Sequence, residues 1–198
     1  MDRRNFIKSL MASGVLGASP LASQAASELF NPGAAQPVLI VGQSGLPHAT
    51  ELVARLGQVF VTAGIKQLQV TASGSELAQF GHVSALLDRV PGGRIIGVMD
   101  DAAGVIFQEL AAARGAACVL NAHHRFGEQQ VRHCCTSVGR ESSIVWSDAL
   151  PNHAERISQL YAGTLGGQAF APGRQAPAAM PGVGGGAPAS LVSFLINT

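Results

Sequence analysis

The residues best suited to chemistry fall into three groups. The sharpest is a set of histidines and cysteines between Cys118 and Val138. Two extended runs, Cys118 to Phe126 and Val131 to Val138, are joined by Gly127-Glu128-Gln129-Gln130. That leaves no room for a crossover helix, so the runs should pair as an antiparallel hairpin. Taking those four residues as the turn sets Phe126 opposite Val131, His124 opposite His133, and Cys135 opposite Ala122, diagonal to His124. Cys118 and Leu120 are expected on that same, buried face. Two imidazoles and a thiol so placed (His124, His133, Cys135) suit zinc or copper. The competing expectation is a pair of partly buried histidines satisfied by carbonyls or by each other, with the cysteines as small apolar residues. No C-x-x-C or H-x-x-x-H spacing supports a metal, which is the less favoured of the two. A slip of one residue would separate the set.

The second group is the Asp100-Asp101 pair, able to bind a metal or to act as general acid and base if the two carboxyls sit in different environments. Its plainer reading is a helix N-cap followed by a first-turn carboxylate favoured by the helix dipole. The third is Gly42-Gln43-Ser44-Gly45. Ser44 is a candidate nucleophile, yet Leu46 stands where a nucleophile elbow requires glycine. The phosphate-loop lysine and the third glycine of a dinucleotide fingerprint are also missing. A tight turn feeding a helix explains the glycines equally well, and a helix N-terminus also suits an anion.

These groups depend on the elements that carry them. Arg94 to Ala122 reads as strand, acidic turn, helix, glycine stop and strand, a βαβ unit. Before it, Val38 to Val41 forms a strand. Pro47 then opens a helix with the stripe Leu52, Val53, Leu56, Val59, Phe60 and Ala63, which ends at Gly64. Lys66 to Thr71 alternates like an edge strand, and Ser73 with Glu76 has capping-box spacing at the head of a helix running to Val90. Ser143 to Trp146 is a further strand, and Asn152 with Glu155 opens a last helix. The expected fold is α/β: a three-layer sandwich with a mainly parallel sheet of the Rossmann-like or flavodoxin-like kind, completed by the antiparallel hairpin. Parallel strands gather their carboxyl ends on one edge, where such domains bind ligands. That edge would collect Gly42, Gln43, Ser44, His48, Ser73, Ser75, Asp100 and Asp101.

Composition bounds what those groups can do. The chain has 198 residues, 47% of them hydrophobic, 13% charged, with a net charge of +1. It lacks the basic footprint of a nucleic-acid binder and any apolar run long enough for a transmembrane span. Cys134 and Cys135 are adjacent and point to opposite faces of a strand, which disfavours a disulfide between them.

The ends differ from the middle. Asp2-Arg3-Arg4-Asn5-Phe6-Ile7-Lys8 has paired arginines, a spacer, Phe, an aliphatic residue and Lys. A mildly apolar stretch from Ser9 to Ala22 and the small-x-small site Ser23-Gln24-Ala25 follow. Residues 1–25 thus resemble a twin-arginine (Tat) export signal. The resemblance implies the Tat export machinery as a partner, export in a folded state and a periplasmic location. Residues 37–166 form one α/β domain. Residues 167–190 are dominated by Gly, Ala and Pro and read as a linker. Residues 191–198 carry an apolar strand expected to dock on a sheet edge, in this chain or in a periplasmic or membrane protein partner. Two functions follow. One is an exported accessory or binding protein using Gly42, Gln43, Ser44, Ser73, Ser75 and Asp101. The other is a small hydrolase or metal-dependent enzyme using Ser44, Asp100, Asp101 and histidines.

Overall fold

The computed structural model describes residues 37–137, 142–167 and 189–198; the expected export signal (residues 1–25) and most of the expected linker (residues 167–190) lie outside them. The described chain runs β1 (Val38–Gln43), α1 (Pro47–Thr62), β2 (Gln67–Ala72), α2 (Gly74–Leu77), α3 (Phe80–Leu87), β3 (Arg94–Met99) and α4 (Asp101–Ala112). It continues through β4 (Ala117–Phe126), β5 (Gln130–Ser137), β6 (Ser142–Ala149), a short 3-10 turn (Leu150–Asn152), α5 (His153–Leu165) and β7 (Ser190–Asn197). The fold is α/β, with one seven-stranded mixed sheet in the order β2-β1-β3-β7-β4-β5-β6. No helix among the described residues is long and apolar enough to cross a membrane.

The sheet is mixed where a mainly parallel one was expected. Only β1 with β2 and β1 with β3 pair in parallel; β3–β7, β7–β4, β4–β5 and β5–β6 are antiparallel. The cause is β7. The unit β3-α4-β4 does bring β4 back in the direction of β3, but β7 inserts between the two, antiparallel to both. The C-terminal strand therefore lies inside the sheet, not on an edge, and both of its sides are paired within this chain, so no partner can add a strand to it. Its composition carries the reason. Leu191 to Ile196 is buried at every position, and a strand covered on both faces suits the middle of a sheet. β2 takes the edge as expected, although its exposure does not alternate: Leu68 and Gln69 are both exposed.

Alternate residues of the strands feed two separate clusters. Val38, Ile40, Ile96, Leu191 and Leu195 join Leu52, Leu56 and Phe60 of α1 and Ile157 and Tyr161 of α5. Leu39, Val41, Ile95, Val192, Phe194 and Ile196 join Leu77 of α2, Val83 and Leu86 of α3, and Phe107 of α4. A bulge in β4 shifts its register against β7 between Cys118 and Leu120. Cys118 consequently turns toward the second cluster while Leu120 faces the first, correcting the expectation that the two share a face.

Two glycines let β7 seat. A Cβ on Gly97 would lie 2.1 Å from Cζ of Phe194, and one on Gly104 would lie 2.2 Å from Cγ1 of Val192. Both partner side chains are buried and have nowhere to swing. Gly97→Ala should therefore destabilise the domain by about 1–3 kcal/mol in urea unfolding, the usual range for overpacking. Gly81→Ala, at a helical position with open space around it, should stabilise it by about 0.5–1 kcal/mol.

Candidate functional site at the carboxyl rim

Strand directions define a rim. With β1, β2 and β3 parallel and each later neighbour antiparallel, β4 and β6 run with β1–β3 while β5 and β7 run against them. The carboxyl ends of five strands thus share one edge with the start of β7. Ser44, Ser73, Asp100 and Phe126 lie there, as do the first turns of α1 and α5.

Most of the polar groups expected there are occupied in holding the turns. Gln43 Nε2 donates to Asp100 Oδ2 at 2.7 Å, and the Asp100 N–H donates to Gln43 Oε1 at 3.0 Å, tying the ends of β1 and β3. The other Asp100 oxygen accepts from the Ala103 N–H at 2.7 Å, so this residue is the N-cap of α4. Ser73 and Glu76 form a full capping box, with Ser75 Oγ 3.0 Å from Ser73 Oγ. Hydrogen bonds from the Ser73 backbone and hydroxyl hold the Glu76 carboxyl below its ordinary range. Ser44 is exposed; its N–H donates to Ala72 O, and its hydroxyl makes no hydrogen bond among the described residues. Gly42 is buried beneath, where a Cβ would meet Val53 at 2.8 Å.

Asp101 is different. It is half exposed, accepts from Ser190 Oγ at 2.7 Å, and faces His123 Nδ1 at 3.5 Å. Serine, histidine and aspartate meet here from three segments, but the serine bonds to the carboxylate instead of the imidazole. This is not the order that activates a serine nucleophile.

On the face carrying α1 and α5, four histidines form a contiguous group. His48 stacks on Phe126 with ring centroids 3.9 Å apart and 8° between planes, and His153 lies edge-on to both. His153 and His133 are near parallel at 6.5 Å, and His133 meets His124 edge-on at 5.0 Å. One donor atom each from His48, Glu51 and His153 lie within 4.8 Å of one another. Neither Glu51 nor His153 stands out in the sequence as a ligand. The His48–Glu51 spacing on one helical face is the only local signal, and His153 comes from the far end of the domain.

The hairpin pairs as its turn length implies, with Phe126 opposite Val131, His124 opposite His133 and Ala122 opposite Cys135. The histidine nitrogens bond directly, Nδ1 to Nδ1 at 2.7 Å. Two nitrogens on a tetrahedral zinc would sit about 3.3 Å apart, so at 2.7 Å the pair is arranged as a hydrogen-bonded bridge. Burial also raises the Cys135 thiol well above its ordinary range, which withholds the thiolate that a metal needs. Cys118 and Cys135 are free thiols, and burial pushes Cys118 up to about 11.

The bridge belongs to a longer buried chain. Tyr161 donates to Ser193 Oγ at 2.8 Å, and Ser193 lies 2.7 Å from His124 Nε2. At the far side of His133, Nε2 faces Asp148 Oδ2 at 3.5 Å, an electrostatic approach too long for a full hydrogen bond, so this nitrogen is buried without a hydrogen-bond partner among the described residues. Asp148 also accepts from Trp146 Nε1 at 2.8 Å and from Arg156 at 2.7 Å. A carboxylate only accepts, so the His133 nitrogen facing it carries the hydrogen. His133 Nδ1 must then accept from His124 Nδ1–H, and His124 Nε2 from Ser193. Every donor points toward Asp148.

Burial drives both imidazoles toward the neutral form. His133 falls to about 4, with Asp148 opposing the shift, and His124 lies well below its ordinary range through burial and the His133 neighbour. The unfolded chain then binds more protons below an ordinary histidine value of about 6.5, so stability falls with pH through that window and levels off for His133 below about 4. Between pH 7 and 5, His133 alone should remove about 2 kcal/mol, with His124 adding in the same direction, as measured by denaturant unfolding at each pH. Ser193→Ala orphans Tyr161 and His124 together and should cost about 1–3 kcal/mol. Adding Tyr161→Phe should recover part of that loss. No family model, curated protein or solved structure matches this chain.

Proposed function

We propose that this chain is an exported accessory or binding protein, delivered to the periplasm by the twin-arginine route, which takes a small ligand at the carboxyl rim of its sheet. The observation that carries the reading is the meeting of Asp101, His123 and Ser190 above the closed Gln43–Asp100 bridge. Rigid strand ends support an exposed, unsaturated polar surface, which is the design of a binding edge. Ser44 and the Ser73–Ser75 turn flank the same edge and offer further hydroxyls. The export half of the reading is supported by Arg3, Arg4, Phe6 and Lys8 in the order of a Tat signal. The same reading takes the domain as a three-layer sandwich, Rossmann-like or flavodoxin-like over β1–β3, supported by α1 and α5 feeding one cluster and α2–α4 the other. Hydrolysis draws less support, because Asp100 is consumed by capping and by Gln43, and the Ser44 hydroxyl makes no hydrogen bond to a base among the described residues.

The test uses the full chain expressed in a bacterium with a working Tat system. Fractionation should find it in the periplasm, and replacing Arg3 and Arg4 with Lys should hold it back. Native mass spectrometry of the exported protein should show a bound small species that Asp101→Ala loses without a change in melting temperature. Cytoplasmic retention of the unaltered chain would overturn the export half. A bare mass, or a bound species indifferent to Asp101→Ala, would overturn the binding half.

A further inference from the structure

We propose that His48, Glu51 and His153 form a binding site for a divalent transition-metal ion of the zinc class. The inference goes beyond the rim-binding reading: it names a separate site, carried by α1 and α5, that can be tested apart from the Asp101 surface.

The decisive atom is His153 Nε2. The residue is 1% exposed, and its Nδ1 lies 2.5 Å from the Leu150 carbonyl oxygen, to which it must donate. In the neutral ring that bond leaves Nε2 as a lone pair, and Nε2 is sealed from solvent with no hydrogen-bond partner among the described residues. A buried, unsatisfied acceptor is costly and calls for an explanation. A carbonyl that fixes the tautomer and orientation of an imidazole from behind is also how metal-binding histidines are usually supported.

The other two ligands are held equally well. His48 lies flat against Phe126, which limits its ring to one plane. Glu51 follows one turn later in α1, its carboxylate 3.9 Å from His48 Nδ1. Arg55 of α1 pairs with Glu155 of α5, so the two helices that carry the ligands are tied together one turn beyond the site. The donor atoms already lie within 4.8 Å of one another, so modest side-chain adjustment closes them on a shared ion. The half-exposed Glu51 leaves an entry and an open coordination position.

The donor set selects the class. Two imidazole nitrogens and one carboxylate oxygen suit zinc or its first-row neighbours, with the fourth position left for water or a bound molecule. Calcium and magnesium demand oxygen ligands and have too few here. The starts of α1 and α5 carry partial positive charge that opposes a cation. The Glu51 carboxylate, in the second turn of α1, offsets it.

The experiment strips the full chain with a chelator and titrates it with zinc chloride by calorimetry, with cobalt(II) absorbance as a second readout. Zinc should saturate at one ion per chain and be indifferent to excess calcium or magnesium. Glu51→Gln, on an exposed side chain that leaves the core intact, should weaken binding by at least about 10-fold, as should His48→Ala and His153→Ala. His82→Ala, on the opposite side of the sheet, should leave the isotherm unchanged. Saturable zinc binding indifferent to Glu51→Gln and His48→Ala would overturn the proposal, as would no saturable binding. If zinc fails while the exported protein still carries a species lost in Asp101→Ala, the rim reading stands and only the metal site falls. If zinc binds as proposed while no such species is found, the site stands apart from the Asp101 surface.

Discussion

Everything in this domain depends on where the last strand goes. β7 is apolar on both faces and paired on both sides, so it joins β1–β3 to the β4–β6 meander as one sheet. Without it, β3 and β4 would face each other across an empty lane. Its seat is specific. Phe194 fills the space above Gly97, Val192 the space beside Gly104, and Thr198 closes the end through hydrogen bonds with Gly93. A shift of one residue would put Ser193 among the apolar side chains of α3 and α4 and aim Phe194 at the histidines.

Ser193 explains why a polar residue sits in such a strand. It is the hinge of a buried chain from Tyr161 through His124 and His133 to Asp148, and each member would be costly alone. They share one consistent direction of donation, and they make the register of four strands, β7, β4, β5 and β6, interdependent. Arg156 and Trp146 complete the carboxylate at the outer end. The chain thus serves uniqueness of fold more than net stability, and its stabilising effect holds only while both imidazoles stay neutral.

Local signals in the sequence were legible, and contacts between distant segments were not. The Asp100 cap, the Ser73–Glu76 box and the β4–β5 register all follow from residues within a few positions of one another, and each appears as read. The break at Gln79, whose extended backbone separates α2 from α3, and the bulge before Leu120 interrupt patterns that looked continuous. The place of β7 was hidden by sequence distance. Its apolar run, broken only by Ser193, reads as a strand for a sheet edge, yet burial on both faces suits the interior of a sheet. His153 was the least legible of all. Nothing around it distinguishes a packed helical histidine from one aimed at His48 and Glu51.

What separates the two histidine groups is satisfaction, not composition. His124 spends both nitrogens, on His133 and Ser193; His133 spends Nδ1 on His124 and turns Nε2, a buried donor without a full hydrogen bond, toward the Asp148 carboxylate, and burial keeps both rings neutral. His153, a ring away, has one nitrogen fixed by a carbonyl and the other buried without a partner, and its neighbours His48 and Glu51 open to solvent. The same residue type therefore does opposite work on the two sides of a 6.5 Å stack. Inside, the one nitrogen without a full hydrogen bond, His133 Nε2, is a donor that faces a carboxylate. At the rim one acceptor is left unsatisfied, and an ion is the partner that its geometry, its support and the nearby carboxylate all favour.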